Sequence, residues 1–227
     1  MKKIILFFIL NLMSQHVFAD EDVMSFVYEE KESGAELANV RYLVSKLFLR
    51  IDDGNLNSDF LLLDRKNKII YNVNHDDESI MVIRSHKWTE PKFPFAVKEH
   101  RKVLDDAPEV AGKKIMDYSK IADNKLCHQL QILPDVYAEE LQAFIEYQDV
   151  LSGQQTRILH NTPEELHTPC LLVDQVYNAG SYYQIGLPIQ EFHSRGYVKR
   201  LVDYRRIKVK AEWSILPAGF KRYSISD

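Results

Sequence analysis

Apolar and polar positions along this chain change period twice. Met24–Glu32 alternates and reads as a first strand, closed by the turn Ser33-Gly34-Ala35. Val40–Asp52 reads as one long strand with apolar residues on both parities. Val40, Tyr42, Val44 and Phe48 share one face, and Leu43, Leu47, Leu49 and Ile51 the other, so cover on both sides is expected. After the turn Asp52-Asp53-Gly54-Asn55 come three short strands, Asp59–Asp64, Lys68–Asn74 and Ser79–Arg84. Even spacing and polar connections make them an antiparallel meander. Phe95–Leu104 follows as a strand, and Lys113–Ile121 and Lys125–Leu133 as a hairpin around Asp123-Asn124.

The period then lengthens to that of a helix. Pro134-Asp135 marks its start with Asp135 as N-cap, Tyr137, Leu141, Phe144, Ile145 and Leu151 share one face, and Ser152-Gly153 ends it. Thr162-Pro163-Glu164-Glu165 opens a short second helix, and Thr168-Pro169 a third segment that carries Cys170. From Gly186 the alternation returns in Leu187–Phe192, Tyr197–Lys210 and Phe220–Ile225. The expected fold is therefore mainly β (α+β): a curved antiparallel sheet or half-open barrel, with a helical insertion over about residues 135–178 covering one face. No repeat and no Gly/Ser-rich linker interrupts 20–227, which reads as a single domain.

Ahead of this domain, Lys2 and Lys3 precede the apolar run Ile4–Ile9, and Val17-Phe18-Ala19 supplies a cleavage step before Asp20-Glu21-Asp22. Met1–Ala19 reads as a secretory signal cleaved after Ala19, with the periplasm as destination. Its core is shorter than the roughly 20 apolar residues of a membrane span. The formal net charge of −4 argues against nucleic acid as a partner, because phosphate binding needs clustered Lys and Arg. An exported chain with two cysteines most simply joins them, here Cys127 to Cys170, and the pair would staple the helical region to the sheet. His128 follows Cys127, but strand neighbours point to opposite faces, which sets it badly for activating that thiol.

Few other patterns carry chemistry. Asp53-x-Asn55-x-Asn57 with Asp64 has calcium-loop spacing, but Ser58 replaces the turn glycine and Asp64 the bidentate Glu, so it reads as a polar hairpin. His75, His86, His100, His128, His160, His167 and His193 form no zinc spacing, and no catalytic or metal residue and no cofactor is assigned. His160 and His167 flank the short helix and could converge on a metal with another ligand. Gly186-Leu187-Pro188-Ile189 looks specified, and Arg200 and Asp203 are expected to hold charge partners at the sheet rim. Leu216-Pro217-Ala218-Gly219-Phe220 looks like a stop, a tight turn and an aromatic plug.

The run Leu49-Arg50-Ile51-Asp52, then Phe60–Asp64, then Ile69-Ile70-Tyr71, resembles the lipoprotein-carrier (LolA/LolB-like) superfamily over about Tyr42–Ile83. The likeness is one of rhythm. It implies a half-open barrel whose concave apolar face is covered by helices and holds acyl chains. Cys127 and Cys170 have no counterpart there, and the chain looks closer to an exported bacterial family with this disulfide and the Gly-Leu-Pro-Ile step. Three functions are compatible with the sequence. The first is a periplasmic, non-catalytic binding protein for a lipid, acyl chain or other apolar small molecule, with Phe48, Tyr71, Phe144 and Ile145 as wall residues. The second is an interaction or envelope-stress module that grips an envelope protein through Trp88–Pro94 or a sheet edge. The third is a hydrolase, which requires acids and histidines distant in sequence to converge in one pocket. The sequence sets no oligomeric state.

Overall fold

The computed structural model describes residues 20–86, 95–159, 161–177 and 179–224. The expected export signal, Trp88–Pro94 and His160 lie outside them. Among the described residues there are twelve strands: β1 (Glu21–Lys31), β2 (Ala38–Val44), β3 (Phe48–Asp52), β4 (Phe60–Asp64), β5 (Ile69–Asn74), β6 (Ser79–Arg84), β7 (Val97–Val103), β8 (Met116–Ala122), β9 (Lys125–Pro134), β10 (Gly186–His193), β11 (Val198–Val209) and β12 (Lys221–Ser224). Between β9 and β10 lie α1 (Ala138–Leu159) and α2 (Pro169–Gln175), with 3-10 turns at Glu164–Leu166 and Ser181–Gln184. A third 3-10 turn, Ala211–Ser214, follows β11.

All twelve strands belong to one sheet, in the order β12-β6-β5-β4-β3-β2-β1-β11-β10-β9-β8-β7. Neighbours are antiparallel except β12, which runs parallel to β6. The sheet is curved and open, with the helical insertion on one face, so the expected fold class holds. α1 touches β3, β5 and β6 as well as β10, placing it across the middle of that face. Its contact face joins Leu141, Phe144 and Val150 to Met24, Phe26, Tyr42, Leu49, Leu63 and Ile70. The opposite face is also covered. Phe48, Phe60, Leu62, Val73 and Ile80 pack against Trp213, Leu216 and Phe220 from the chain that leads β11 back to β12. This double cover is why β3 is buried on both parities.

Several expectations need correction. Val40–Asp52 is two strands, because Ser45 turns the chain: its hydroxyl accepts hydrogen bonds from the Leu47 and Phe48 N–H groups, and Leu47 is left exposed. Asp135 is not the cap of α1. It takes a left-handed φ of 56° and donates its N–H to the Ile185 carbonyl, and the helix starts at Ala138. Nor do Ser152 and Gly153 end it. Both are buried in mid-helix, and the helix continues to Leu159 because packing outweighs the weak propensity of this pair.

Other local signals act as read. Asp123 and Asn124 both have positive φ and close a tight hairpin between β8 and β9. Thr168 caps α2 by accepting from the Leu171 N–H, with Pro169 at the first helical position. The Gly-Leu-Pro-Ile step has a steric cause: a Cβ on Gly186 would lie 2.1 Å from the Leu133 carbonyl oxygen on β9. Leu187 enters the core, and the Pro188 carbonyl accepts a hydrogen bond from the Tyr28 hydroxyl. Arg50 and Asp52 form a buried pair whose arginine stacks on Phe60 and donates to the Trp213 carbonyl, fastening the C-terminal crossing to the sheet. Arg200 pairs with Glu29 and Asp203 with Arg205, but β11 lies between β1 and β10, so these pairs sit inside the sheet and not at its rim.

Candidate functional site

The four wall residues do not share a concavity. Phe48 and Tyr71 lie on the face covered by Trp213 and Phe220, whereas Phe144 and Ile145 lie on the α1 face. The α1 face is filled. Phe144 stacks on Tyr42 with ring centroids 5.3 Å apart, and its ring edge meets Phe26 at 5.8 Å.

Ionisable groups gather instead beneath α2. The disulfide sets the position: Cys127 on β9 is joined to Cys170 on α2, with Cα atoms 5.0 Å apart. A bulge sits at the same point, because Lys120 pairs with His128 and Ile121 with Leu126, leaving Cys127 as the extra residue on β9. The strict alternation that set His128 away from Cys127 is thereby broken. Both residues meet α2, Cys127 through Cys170 and His128 through Asp174 one turn further on.

Strand register builds the remainder. Lys120 on β8, His128 on β9 and His193 on β10 are direct partners across three strands. Two residues along the same face of β10, Glu191 pairs with Lys199 on β11, which pairs with Glu30 on β1. The His128 and His193 rings are 4.0 Å apart. His128 Nε2 lies 2.6 Å from Asp174 Oδ1, and His193 Nδ1 lies 3.8 Å from Asp174 Oδ2. On its other side His193 Nε2 faces Glu191 Oε2 at 3.5 Å. The His128 and Asp174 side chains are 3% and 2% exposed, yet none of their four polar atoms has a well-aligned hydrogen-bond partner among the described residues. The 2.6 Å contact is close but poorly directed.

Electrostatics divides the cluster. Burial pushes the His128 imidazole below its usual range, with Asp174 only partly opposing it. Burial acts on His193 in the same direction, but Asp174 and Glu191 outweigh it and hold its value above normal. Asp174 and Glu191 are raised by burial and brought below the ordinary carboxylate range by stronger interactions, Asp174 by the two histidines and Glu191 chiefly by Lys199. Burial acts to lower the Lys199 ammonium, but its surroundings, in which Glu191 and Glu30 supply the opposite charge, hold its value above normal, and it sits over the Tyr28 and Tyr42 rings at 4.2 and 4.4 Å.

The cluster reaches the surface at His193. A cleft of about 440 Å³ opens there, lined by Glu32, Ser33, Gln175, His193, Arg195 and Tyr197. Arg195 is half-exposed, with Nη2 3.7 Å from Asp174 Oδ2. A second cleft of about 470 Å³, lined by Glu99, Arg101, Ser181 and Gln184 among others, lies by β8. Of the histidines noted in the sequence, the structure brings together His128 and His193. His75 packs instead between Phe60 and Phe220. Asp53 and Asn55 only cap their own exposed turn. No spacing signal could have found the cluster, because its members come from three distant segments and meet through register.

No family model matches the sequence, and no curated protein matches it. Among solved structures, PNGF-II in a C2 crystal form aligns over 90% of this chain and 31% of its own length, at 8% identity and a TM-score of 0.39. PNGF-II in a P21 form aligns over 90% and 32%, at 8% identity and a TM-score of 0.41. The chain spans about a third of those structures' length.

Proposed function

We propose that the chain is an exported, non-catalytic binding protein that takes a small polar molecule in the cleft at His193. The observation that carries this reading is the buried row of His128, Asp174, His193, Glu191 and Lys199 opening into that cleft. Burying charges is costly unless they are paired, and such clusters concentrate at binding and catalytic sites. Arg195 offers a planar set of donors suited to a carboxylate or phosphate, and Glu32 an acceptor on the same wall. Export rests on the Met1–Ala19 pattern and accords with the disulfide. The apolar-ligand form of the reading, which the lipoprotein-carrier resemblance suggested, requires α1 to leave Phe26 and Tyr42.

A thermal-shift panel of small carboxylates, phosphates, amino acids and sugars tests the proposal. A true ligand at a hundred times its Kd contributes about 2.7 kcal/mol, a rise of roughly 5–10 °C for a domain of this size. Arg195→Ala should remove the rise. If no compound shifts the wild type and native mass spectrometry recovers only bare protein or an acyl chain, the reading fails. The hydrolase reading is favoured by one observation, the placement of His193 between Asp174 and Glu191 at the mouth of the cleft. Turnover of an ester or glycoside by the wild type, lost in His193→Gln, would establish it over simple binding.

A further inference from the structure

We propose that His128, Asp174 and His193 form a binding site for a divalent first-row transition metal, open on one side to the His193 cleft. The three ligand atoms, one from each residue, lie within 4.8 Å of one another. Two imidazoles and a carboxylate are a donor set suited to zinc and its neighbours. The two histidines are direct partners on adjacent antiparallel strands, and the disulfide holds the third donor over them from α2.

Three features point to an ion. First, the Asp174 carboxylate and both His128 nitrogens are buried without aligned partners, an arrangement proteins seldom leave unexplained. Second, His193 has the two-sided environment of a ligand imidazole. Its Nδ1 faces Asp174 and the interior of the cluster, while Nε2 faces Glu191, which can accept the remaining ring N–H. A carboxylate behind a ligating histidine fixes its tautomer and orientation, so Glu191 is a positioning residue. Glu191 is itself held by the Tyr182 hydroxyl and Lys199. Third, three protein donors leave room for a water or a ligand atom from the cleft. The fit needs two adjustments. Donors on a common ion at about 2.0–2.1 Å lie roughly 3.3 Å apart in tetrahedral geometry. The 2.6 Å His128–Asp174 contact must therefore open by less than an ångström, and the wider donor separations, up to 4.8 Å, must close by about 1.5 Å.

The test uses the untagged chain, stripped with a chelator and titrated calorimetrically with Zn²⁺. One equivalent per chain is expected. His193→Gln and Asp174→Asn should each abolish stoichiometric binding, and Glu191→Gln should weaken it by about 10-fold. His193 lies nearest the surface, so circular dichroism of His193→Gln checks that its fold is kept. If both ligand variants misfold, the wild type decides: NMR of the imidazoles should show Zn²⁺ moving His128 and His193 while leaving His75 and His100 in place. No stoichiometric uptake by the wild type, full uptake by folded ligand variants, or shifts confined to His75 or His100 would each overturn the proposal. The site shares His193 with the cleft but does not depend on the polar-ligand reading. Zn²⁺ uptake without any response to the panel would keep the metal site and remove that reading.

Discussion

Beneath α1 the sheet presents Met24, Phe26, Leu49, Leu63 and Ile70 to Leu141 and Phe144. Beneath α2 the same sheet presents His128 and His193 to Asp174, with Glu191 on the far side of His193. In the first region each contact is non-directional, and burial itself stabilises the fold. In the second, burial of each charge opposes folding until a partner is placed, and attraction alone does not place partners well. That placement has covalent help: Cys127–Cys170 fixes α2 on β9, and the bulge at Cys127 lets that cysteine and His128 both meet the same helix. The α1 region is therefore a source of stability, whereas the α2 region is one on which stability is spent to hold charged groups in position. Lys199 marks the boundary, with its ammonium over Tyr28 and Tyr42 of the apolar core and its charge matched by Glu30 and Glu191.

The strongest way to break this contrast is to remove the disulfide. Replacing Cys127 and Cys170 together by Ser, across a sequence separation of 43, should cost about 4 kcal/mol on the chain-entropy model, read by urea unfolding. Hydrogen exchange should show α2 losing protection while the Leu141–Val150 stretch of α1 keeps it. Equal loss in both helices would mean that the two regions are one cooperative unit. Phe144→Ala makes the opposite cut. Removing this buried ring should cost about 3 kcal/mol or more. Zn²⁺ uptake by the folded fraction should stay as in the wild type, and a matching fall in metal affinity would show that the site depends on α1 packing.

The smallest effect concerns Glu146, the polar latch of the apolar region. Burial pushes its carboxyl up, but hydrogen bonds from Arg65 and Lys68 outweigh this and leave it below the usual range. A depressed carboxylate stabilises the fold above its unfolded value, near 4.5, and that contribution is lost as pH falls through the folded value. Glu146→Gln should therefore cost less than about 1 kcal/mol at neutral pH. The difference from wild type should shrink in urea titrations carried below pH 4.5. A difference that stays constant with pH would remove the latch from the account.

Local chemistry is legible wherever it acts on its own neighbours. The meander β4–β6, the left-handed turn at Asp123-Asn124 and the start of α2 at Thr168-Pro169 each follow from residues within a few positions. The Ser45 turn was hidden because its flanks are as apolar as the strands it joins, so the pattern ran through it. α1 passes Ser152-Gly153 because the sheet beneath it decides where a weak helix former is tolerated. The candidate cluster was illegible for a stronger reason. His128, Asp174 and His193 carry no mutual spacing, and the bulge at Cys127 breaks the alternation that would set Cys127 and His128 on opposite faces.

By itself the sequence determined the class of fold, the location of the helical insertion and, through cysteine number and an export-like start, the expectation of a bridge. These depend on local periodicity, turn chemistry and composition, which need no knowledge of distant partners. Only the tertiary structure decided that α1 fills the apolar face, that Phe48 and Phe144 lie on opposite sides of the sheet, and that two histidines and an aspartate meet beneath α2. Those outcomes rest on strand order and register. In a sheet, one inserted residue changes which side chains face each other.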